Sequence, residues 1–204
     1  MQTVPASHGG VVLGIMPLAT AIVGAIVSNE KPSLSFWLFG ILGSIIVIVY
    51  ALLQGFGSFQ VGDIFLGAAI FSAAIGYAVG GKLSKEIGGW QVICWALIIS
   101  FPFILLPAWI AAPKVSIASL PANVLISFIY LSLVSQFFGF FLWNKGLALG
   151  GIARVSQTML FQPFITLFAS VFLIKENIGF ETIVFSFLVF VTVAIGKKMP
   201  IYEK

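Results

Sequence analysis

A stripe of hydrogen-bonding side chains within one apolar stretch is the clearest candidate for chemistry in this sequence. Thr158, Gln162, Thr166 and Ser170 recur every fourth residue, so on a helix they share one face. In lipid, a face of hydroxyl and amide groups turns toward protein or toward a water-filled cavity. Such groups bind a small polar or amphipathic solute by hydrogen bonds and catalyse nothing by themselves. Hydrogen bonding between helices is the alternative role, and the sequence leaves both open.

The preceding apolar stretch carries Gln136 and Trp143 along a similar face. These residues add an amide and an aromatic wall to the candidate solute contacts. His8 is the one histidine and titrates near neutral pH. It lies at the outer end of the first apolar stretch, where an interfacial role is the alternative to pH sensing or solute contact. The candidate solute contacts are therefore Gln162, Thr158, Thr166, Gln136, Trp143 and His8.

Residues for catalysis are not grouped anywhere along the sequence. A charge at the centre of a bilayer costs at least about 2.5–3.5 kcal/mol, so one retained there is usually functional. Asp63, Glu181 and Arg154 all fall at the ends of apolar stretches, and Cys94 is the one cysteine. With no carboxylate pair, metal-ligand cluster or carboxylate–histidine relay in the sequence, we expect neither an enzyme nor a metal or cofactor.

The composition requires a membrane to position these residues. Of 204 residues, 60% are hydrophobic and 8% are charged, whereas a soluble domain carries about 25% charged residues. Soluble enzymes, nucleic-acid binders and disordered chains are excluded on this ground. The sequence predicts an all-α polytopic membrane protein.

Seven apolar stretches approach the length of about 20 residues that a transmembrane helix needs. Strands are not expected, because the stretches are continuously apolar and do not alternate. The predicted helices are Ser7–Ser28, Phe36–Gln54, Asp63–Gly81, Trp90–Ala111, Pro121–Asn144, Ile152–Ile174 and Phe180–Gly196.

Basic residues predict the orientation of these helices. Lys114 and Lys175 fall on one side of the membrane, and all the other basic residues fall on the opposite side. The larger group is Lys31, Lys82, Lys85, Lys145, Arg154, Lys197, Lys198 and Lys204. This asymmetry predicts a multi-pass protein of the cell membrane with a cytoplasmic C-terminus and an outside N-terminus.

Two of the stretches share a frame of proline and glutamate. Pro17 and Glu30 are matched, 146 residues later, by Pro163 and Glu176. The two helices are five crossings apart, so they cross the membrane in opposite directions. An inverted repeat of this kind is typical of secondary transporters.

Each member of this frame has a physical interpretation. Pro17 and Pro163 each remove a mid-helix hydrogen bond, which kinks a helix and in a moving bundle makes a hinge. Glu30 and Glu176 are predicted at helix C-termini, where the dipole disfavours a negative charge. The neighbouring Lys31 and Lys175 would offset that effect.

These stretches resemble the EamA-type transporters of the drug/metabolite transporter superfamily. The resemblance is carried by VPASHGGVVLGIMPLATA (4–21), closing at Glu30, and WNKGLALGGIARVSQTMLFQP (143–163), closing at Glu176. Members of that family have two repeats of five helices. The resemblance implies that Pro17, Glu30, Pro163 and Glu176 are the structural motif of the repeat, with the glutamates in a capping role.

Applied to this chain, the resemblance implies one complete repeat and part of another. Residues 63–196 form the complete second repeat, 1–54 the last two helices of an inverted first repeat, and 197–204 a cytoplasmic tail. The first three helices of the family pattern are absent, so the sequence looks truncated at its N-terminus.

The implied function is export of a small metabolite or amino-acid-like solute by alternating access. The implied partners are the lipid bilayer and the solute, with a second copy of the chain or the missing N-terminal half as further possibilities. The alternative is a non-transporting remnant or one half of a split transporter.

Overall fold

The elements of the fold are almost entirely helical. The computed structural model describes residues 6–53, 61–111, 120–174 and 179–203. In chain order the elements are α1 (Ala6–Val27), β1 (Glu30–Pro32), α2 (Leu34–Leu53), α3 (Val61–Ile87), α4 (Gly89–Ala111), α5 (Ala122–Gly150), α6 (152–174), α7 (Phe180–Gly196) and β2 (Ile201–Glu203).

Two of the helices change their winding along their length. In α5 the stretch Tyr130–Gly139 is π-helical. In α6 a 3₁₀ segment, Gln157–Phe161, separates the α-helical Ile152–Ser156 from Gln162–Ile174. Within the described ranges, α2, α3, α4 and α5 are long and apolar enough to cross a membrane. The chain is an all-α membrane protein, as its composition predicts.

Two predicted helix ends are wrong. Residues 82–87 continue α3 beyond the predicted end at Gly81, and residues 145–150 continue α5 beyond the predicted end at Asn144. Lysine is a good helix former, and the helices stop only at Gly88 and Gly151, whose φ angles are +92° and +82°. Glycine adopts this left-handed conformation without strain, which makes it the usual helix terminator.

The described parts of the apolar stretches are helical, as expected, and a short pair of strands forms outside them. After α1 and after α7 the chain forms a two-stranded antiparallel ribbon, in which Lys31 lies opposite Tyr202 and Pro32 opposite Ile201. The expected tail therefore lies partly in β2. Both strands have three residues and lie outside the long apolar helices.

Two compact units make up the chain. The first consists of residues 1–79 and 150–204, and the second of residues 80–149. In the first unit one buried cluster joins α2, α6 and α7, and its members are Val47, Tyr50, Leu160, Phe164, Val189 and Val193. A second cluster joins α1, α2 and α6 through Ala21, Phe36 and Ala153.

Within the first unit, α1 and the start of α6 cross in opposite directions. A Cβ atom on Gly24 would lie 2.5 Å from Cγ2 of Ile152, so this crossing requires glycine. One turn earlier on α1, Ala21 packs in the same cluster as Ala153. Helix α2 shows the relative direction of the two helices. Gly40 lies beside Gln157 and Gly43 beside Leu160, so α2 runs parallel to α6. Gly40 also lies beside Leu18, whereas Ser44 lies beside Gly14, so α2 runs antiparallel to α1. Helices α1 and α6 are therefore antiparallel.

The carboxylate of Glu30 fixes this crossing at one end. The Ile152 N–H donates to Oε1 at 2.8 Å and the Ala153 N–H donates to Oε2 at 2.9 Å. Glu30 is 3% exposed and lies three residues beyond the end of α1. Its charge therefore meets the positive N-terminal end of α6, a favourable dipole interaction in place of the unfavourable one predicted from the sequence.

Basic residues of the first unit gather at the same end as Glu30. Lys31 on β1 is exposed, as are Lys197 and Lys198 just after α7. Arg154, in the first turn of α6, donates from Nη2 to the Met199 carbonyl at 3.4 Å. The ribbon, the start of α6 and the end of α7 thus form one basic end.

In the second unit the end of α3, the start of α4 and the end of α5 pack closely. A Cβ atom on Gly89 would lie 2.9 Å from the carbonyl oxygen of Phe141 and 3.1 Å from the backbone nitrogen of Lys145. A Cβ atom on Gly80 would lie 2.8 Å from Oδ1 of Asn144. Glycine thus permits a close approach of the α5 backbone at Gly89 and makes room for the Asn144 side chain at Gly80.

We predict that Glu30→Gln lowers the stability of the protein. The amide keeps one acceptor but loses the charge, and a hydrogen bond to a charged group contributes about 1.5–3 kcal/mol. Glu30→Ala should cost more, because it leaves two buried N–H groups without an acceptor. Thermal unfolding in detergent, followed by size-exclusion chromatography, measures the effect. Glu181→Gln, at an exposed position of the same unit, is the control; equal shifts for both variants would contradict the prediction.

Candidate functional site

The candidate solute residues of α6 lie where that helix changes its winding. Pro163 has no N–H, so the Met159 carbonyl loses its normal helical donor. The Gln162 N–H donates to that carbonyl in the tighter 3₁₀ pattern. The Met159 carbonyl therefore keeps a hydrogen bond despite the proline. The tighter winding also changes the directions in which the side chains of residues 157–161 point, relative to a regular α-helix.

The polar side chains of the α6 stripe differ in whether they bond to their own helix and in whether they are exposed. Thr158 donates from Oγ1 to the Val155 carbonyl at 2.7 Å, and Thr166 donates to the Gln162 carbonyl at 3.0 Å. Gln162 and Thr166 are exposed on the first unit. The threonine donors are satisfied by their own helix, which leaves the Gln162 amide as the group best able to bind a solute.

The threonines that follow the two prolines make the same contact. Thr20 donates from Oγ1 to the Met16 carbonyl at 2.9 Å, as Thr166 does to Gln162. Both pairs are related by the 146-residue offset that relates Pro17 to Pro163. Hydroxyl bonding to the carbonyl four residues back tends to bend a helix, so it acts at the same place as the proline.

Gln157 is a buried polar group that the stripe did not include. It is 3% exposed, and its Oε1 and Nε2 lie 3.2 and 3.3 Å from where a Cβ atom on Gly40 would stand. Its Nε2 has no hydrogen-bond partner among the described residues. One turn along α2, Ser44 is 1% exposed, and its Oγ also lacks a partner within the described ranges.

The sequence shows little sign of the pair formed by Gln157 and Ser44. Ser44 lies in the middle of an apolar span, but serine is common where transmembrane helices pack against each other. Gln157 is not among the candidate solute contacts predicted from the sequence, because its burial depends on a tertiary contact with Gly40 of α2 that no local pattern shows. It lies at the start of the 3₁₀ segment.

The other end of α2 carries a second polar contact that the sequence did not reveal. Tyr50 and Thr182 share a buried hydrogen bond of 2.9 Å between their hydroxyl oxygens. The Tyr50 ring also packs on Phe164 and Phe185, with centroids 5.4 and 5.3 Å away. This contact joins α2 to the start of α7.

An apolar groove of about 410 Å³ lies between α6 and α7 in the first unit. Its lining is Phe161, Phe164, Ile165, Phe168, Ser186 and Phe190. The one hydroxyl there is satisfied, since Ser186 donates to the Thr182 carbonyl at 2.6 Å. The groove supplies an aromatic wall and no charge.

The remaining candidates lie in the second unit or outside the described part of the chain. Gln136 is exposed in the π-helical part of α5, and Trp143 is half-buried further along the same helix. His8 lies in the first turn of α1, but its side chain is outside the description, as is that of Ser170. Glu176 falls outside the described residues.

Comparisons with known proteins agree with the resemblance seen in the sequence. Residues 60–195 match the model of the EamA-like transporter family. The chain is 39% identical over 198 residues to the "Uncharacterized transporter YdeK" of Bacillus subtilis (strain 168), a match that covers 97% of this chain and 69% of that protein. No solved structure matches significantly. The chain therefore belongs to the EamA-like transporter family.

Proposed function

We propose that the protein exports a small uncharged or zwitterionic solute, of amino-acid-like chemistry, by alternating access. The observation that carries the proposal is the antiparallel crossing of α1 and α6, each with a proline followed by the same threonine-to-carbonyl bond. Paired broken helices of opposite direction surround the solute site of many secondary transporters. Pro17 and Pro163 would be the hinges of the two states.

The proposed architecture is an inverted repeat of five helices. In it, residues 63–196 are one complete repeat and 1–54 are the last two helices of the other. The family match over 60–195 supports these bounds. The two compact units have different bounds from the two repeats. The units are defined by which helices pack together, whereas the repeats are defined by which helices match each other in sequence.

The proposed solute contacts are amides beside an aromatic surface. Gln162 offers an exposed amide, and Gln157 offers a buried donor with no partner among the described residues. The groove at Phe161 and Phe164 accommodates an apolar side chain of the solute. Thr158, Thr166, Gln136, Trp143 and His8 remain proposed contacts of lower rank.

The expected effect of Gln162→Ala is reduced flux with unchanged membrane insertion. Loss of one hydrogen bond to the solute should slow transport about threefold to tenfold. The measurement uses proteoliposomes that contain only this chain and are preloaded with radiolabelled neutral amino acids. Ser72→Ala, at an exposed position of α3, is the matched control.

Each outcome of that experiment has a meaning. Equal flux for Gln162→Ala and the control would contradict the contact assigned to Gln162. No flux from an inserted wild-type chain would favour the alternative, a chain that does not transport alone or is one half of a split transporter.

Gln157→Met should separate stability from transport. Methionine fills similar space without an unpaired buried donor, so unfolding should become harder by about 1 kcal/mol. Flux should fall, because the solute loses that donor. Thermal unfolding and flux are measured on the same preparation, with Gln162→Met as the stability control. A lower unfolding temperature would mean that the amide is bonded in the protein, and unchanged flux would remove Gln157 from the site.

We also propose that the basic end of the first unit faces the cytoplasm, which places the C-terminus inside the cell and the N-terminus outside. Lys31, Lys197 and Lys198 lie together at that end, which supports this orientation under the positive-inside rule. Green fluorescent protein fused after Lys204 should fluoresce, and alkaline phosphatase at the same position should be inactive. The opposite pair of results would reverse the orientation.

A further inference from the structure

The second unit has a basic cavity that the solute site does not use. It has a volume of about 480 Å³ and lies where α3 ends, α4 begins and α5 approaches its end. Lys85 from α3 and Lys145 from α5 both line it. These two lysines are the charged residues of its lining.

The first turn of α4 adds the positive end of a helix dipole. Gly88 and Gly89 bring the start of that helix to the cavity wall. The first N–H groups of a helix have no acceptor within the helix, and the dipole is positive at that end. Such a helix start binds phosphate groups readily.

Two buried polar atoms in the lining lack partners among the described residues. Ser84 is 8% exposed, and its Oγ has no hydrogen-bond partner there. The Oε1 atom of Gln91 is also buried without one. A hydroxyl can donate to a phosphate oxygen, and an amide oxygen can accept from a hydroxyl. Together they fit a ligand that carries both a phosphate and a hydroxyl group.

The surroundings of the cavity favour a lipid over a soluble ligand. Trp90 and Leu149 line it while remaining 55% and 79% exposed. Trp95 and Ile98 continue an exposed apolar surface along α4. Tryptophan is enriched where a membrane protein meets the headgroup region, and basic pockets between helices at the cytoplasmic side bind anionic headgroups.

We propose that this cavity binds the headgroup of a phosphatidylglycerol-like anionic phospholipid. Lys85, Lys145 and the start of α4 hold the phosphate, with Ser84 as a hydroxyl donor. Gln91 accepts from a glycerol hydroxyl of the headgroup. The acyl chains lie along the apolar surface of α4.

Native mass spectrometry of the detergent-solubilised chain tests the site. Titration with phosphatidylglycerol should give a saturable adduct that weakens as salt is raised, and phosphatidylcholine should bind at least tenfold more weakly. Equal binding of the two lipids by the wild-type chain would overturn the proposal.

Charge-removing variants locate the site. Lys85→Gln and Lys145→Gln should each weaken phosphatidylglycerol binding about fivefold. Lys82→Gln, on the same helix as Lys85 but outside the lining, is the control and should change binding by less than twofold. Equal losses for all three variants would indicate a general surface charge effect and overturn the site.

Two further arms distinguish the source of the phosphate and the role of the hydroxyl. Glycerol 1-phosphate should displace the lipid only at concentrations far above those of the lipid. Displacement at equal concentrations would make this a site for soluble phosphate esters.

Ser84→Ala should weaken lipid binding several-fold while thermal stability is unchanged or higher. Unchanged binding by Ser84→Ala would remove the hydroxyl from the site.

Discussion

The contact between Glu30 and the start of α6 is the constraint on which the first unit depends. A buried carboxylate is costly unless it is fully hydrogen-bonded, and here its oxygens accept the N–H groups of Ile152 and Ala153. The bond joins residues more than 120 positions apart in sequence. It sets which residues of α1 face which residues of α6, because any slip along the crossing would separate the charge from both donors.

Farther from Glu30, the hydrogen bonding of buried polar groups in the first unit is less complete. Gln157 and Ser44 are buried polar groups with orphaned atoms in the described part of the chain, and α6 changes its winding where Gln157 enters the core. Natural proteins keep such imperfections where function requires them, at a cost in stability. The two regions therefore have different roles. The Glu30 contact holds α1 and α6 in register, and the region near Gln157 leaves polar groups for an incoming molecule.

Hydropathy was enough to predict the seven helices, because length and apolar composition are local properties. The predicted ends of α3 and α5 fall too early in the chain, because apolar composition stops before the helix does and the terminating conformations of Gly88 and Gly151 depend on the folded backbone. The partner of Glu30 could not be predicted, because a residue near the end of one helix gives no local sign that it caps another. The burial of Gln157 could not be predicted, because it depends on the approach of Gly40 from another helix. Family membership, by contrast, rested on motif stretches that the sequence shows directly.

The ribbon between β1 and β2 makes the Glu30 contact part of a closed circuit of the chain. β1 begins with Glu30 itself, and its neighbours Lys31 and Pro32 pair with Tyr202 and Ile201 beyond α7. Force applied to the residues after α7 is therefore transmitted through the ribbon to the carboxylate that holds the start of α6.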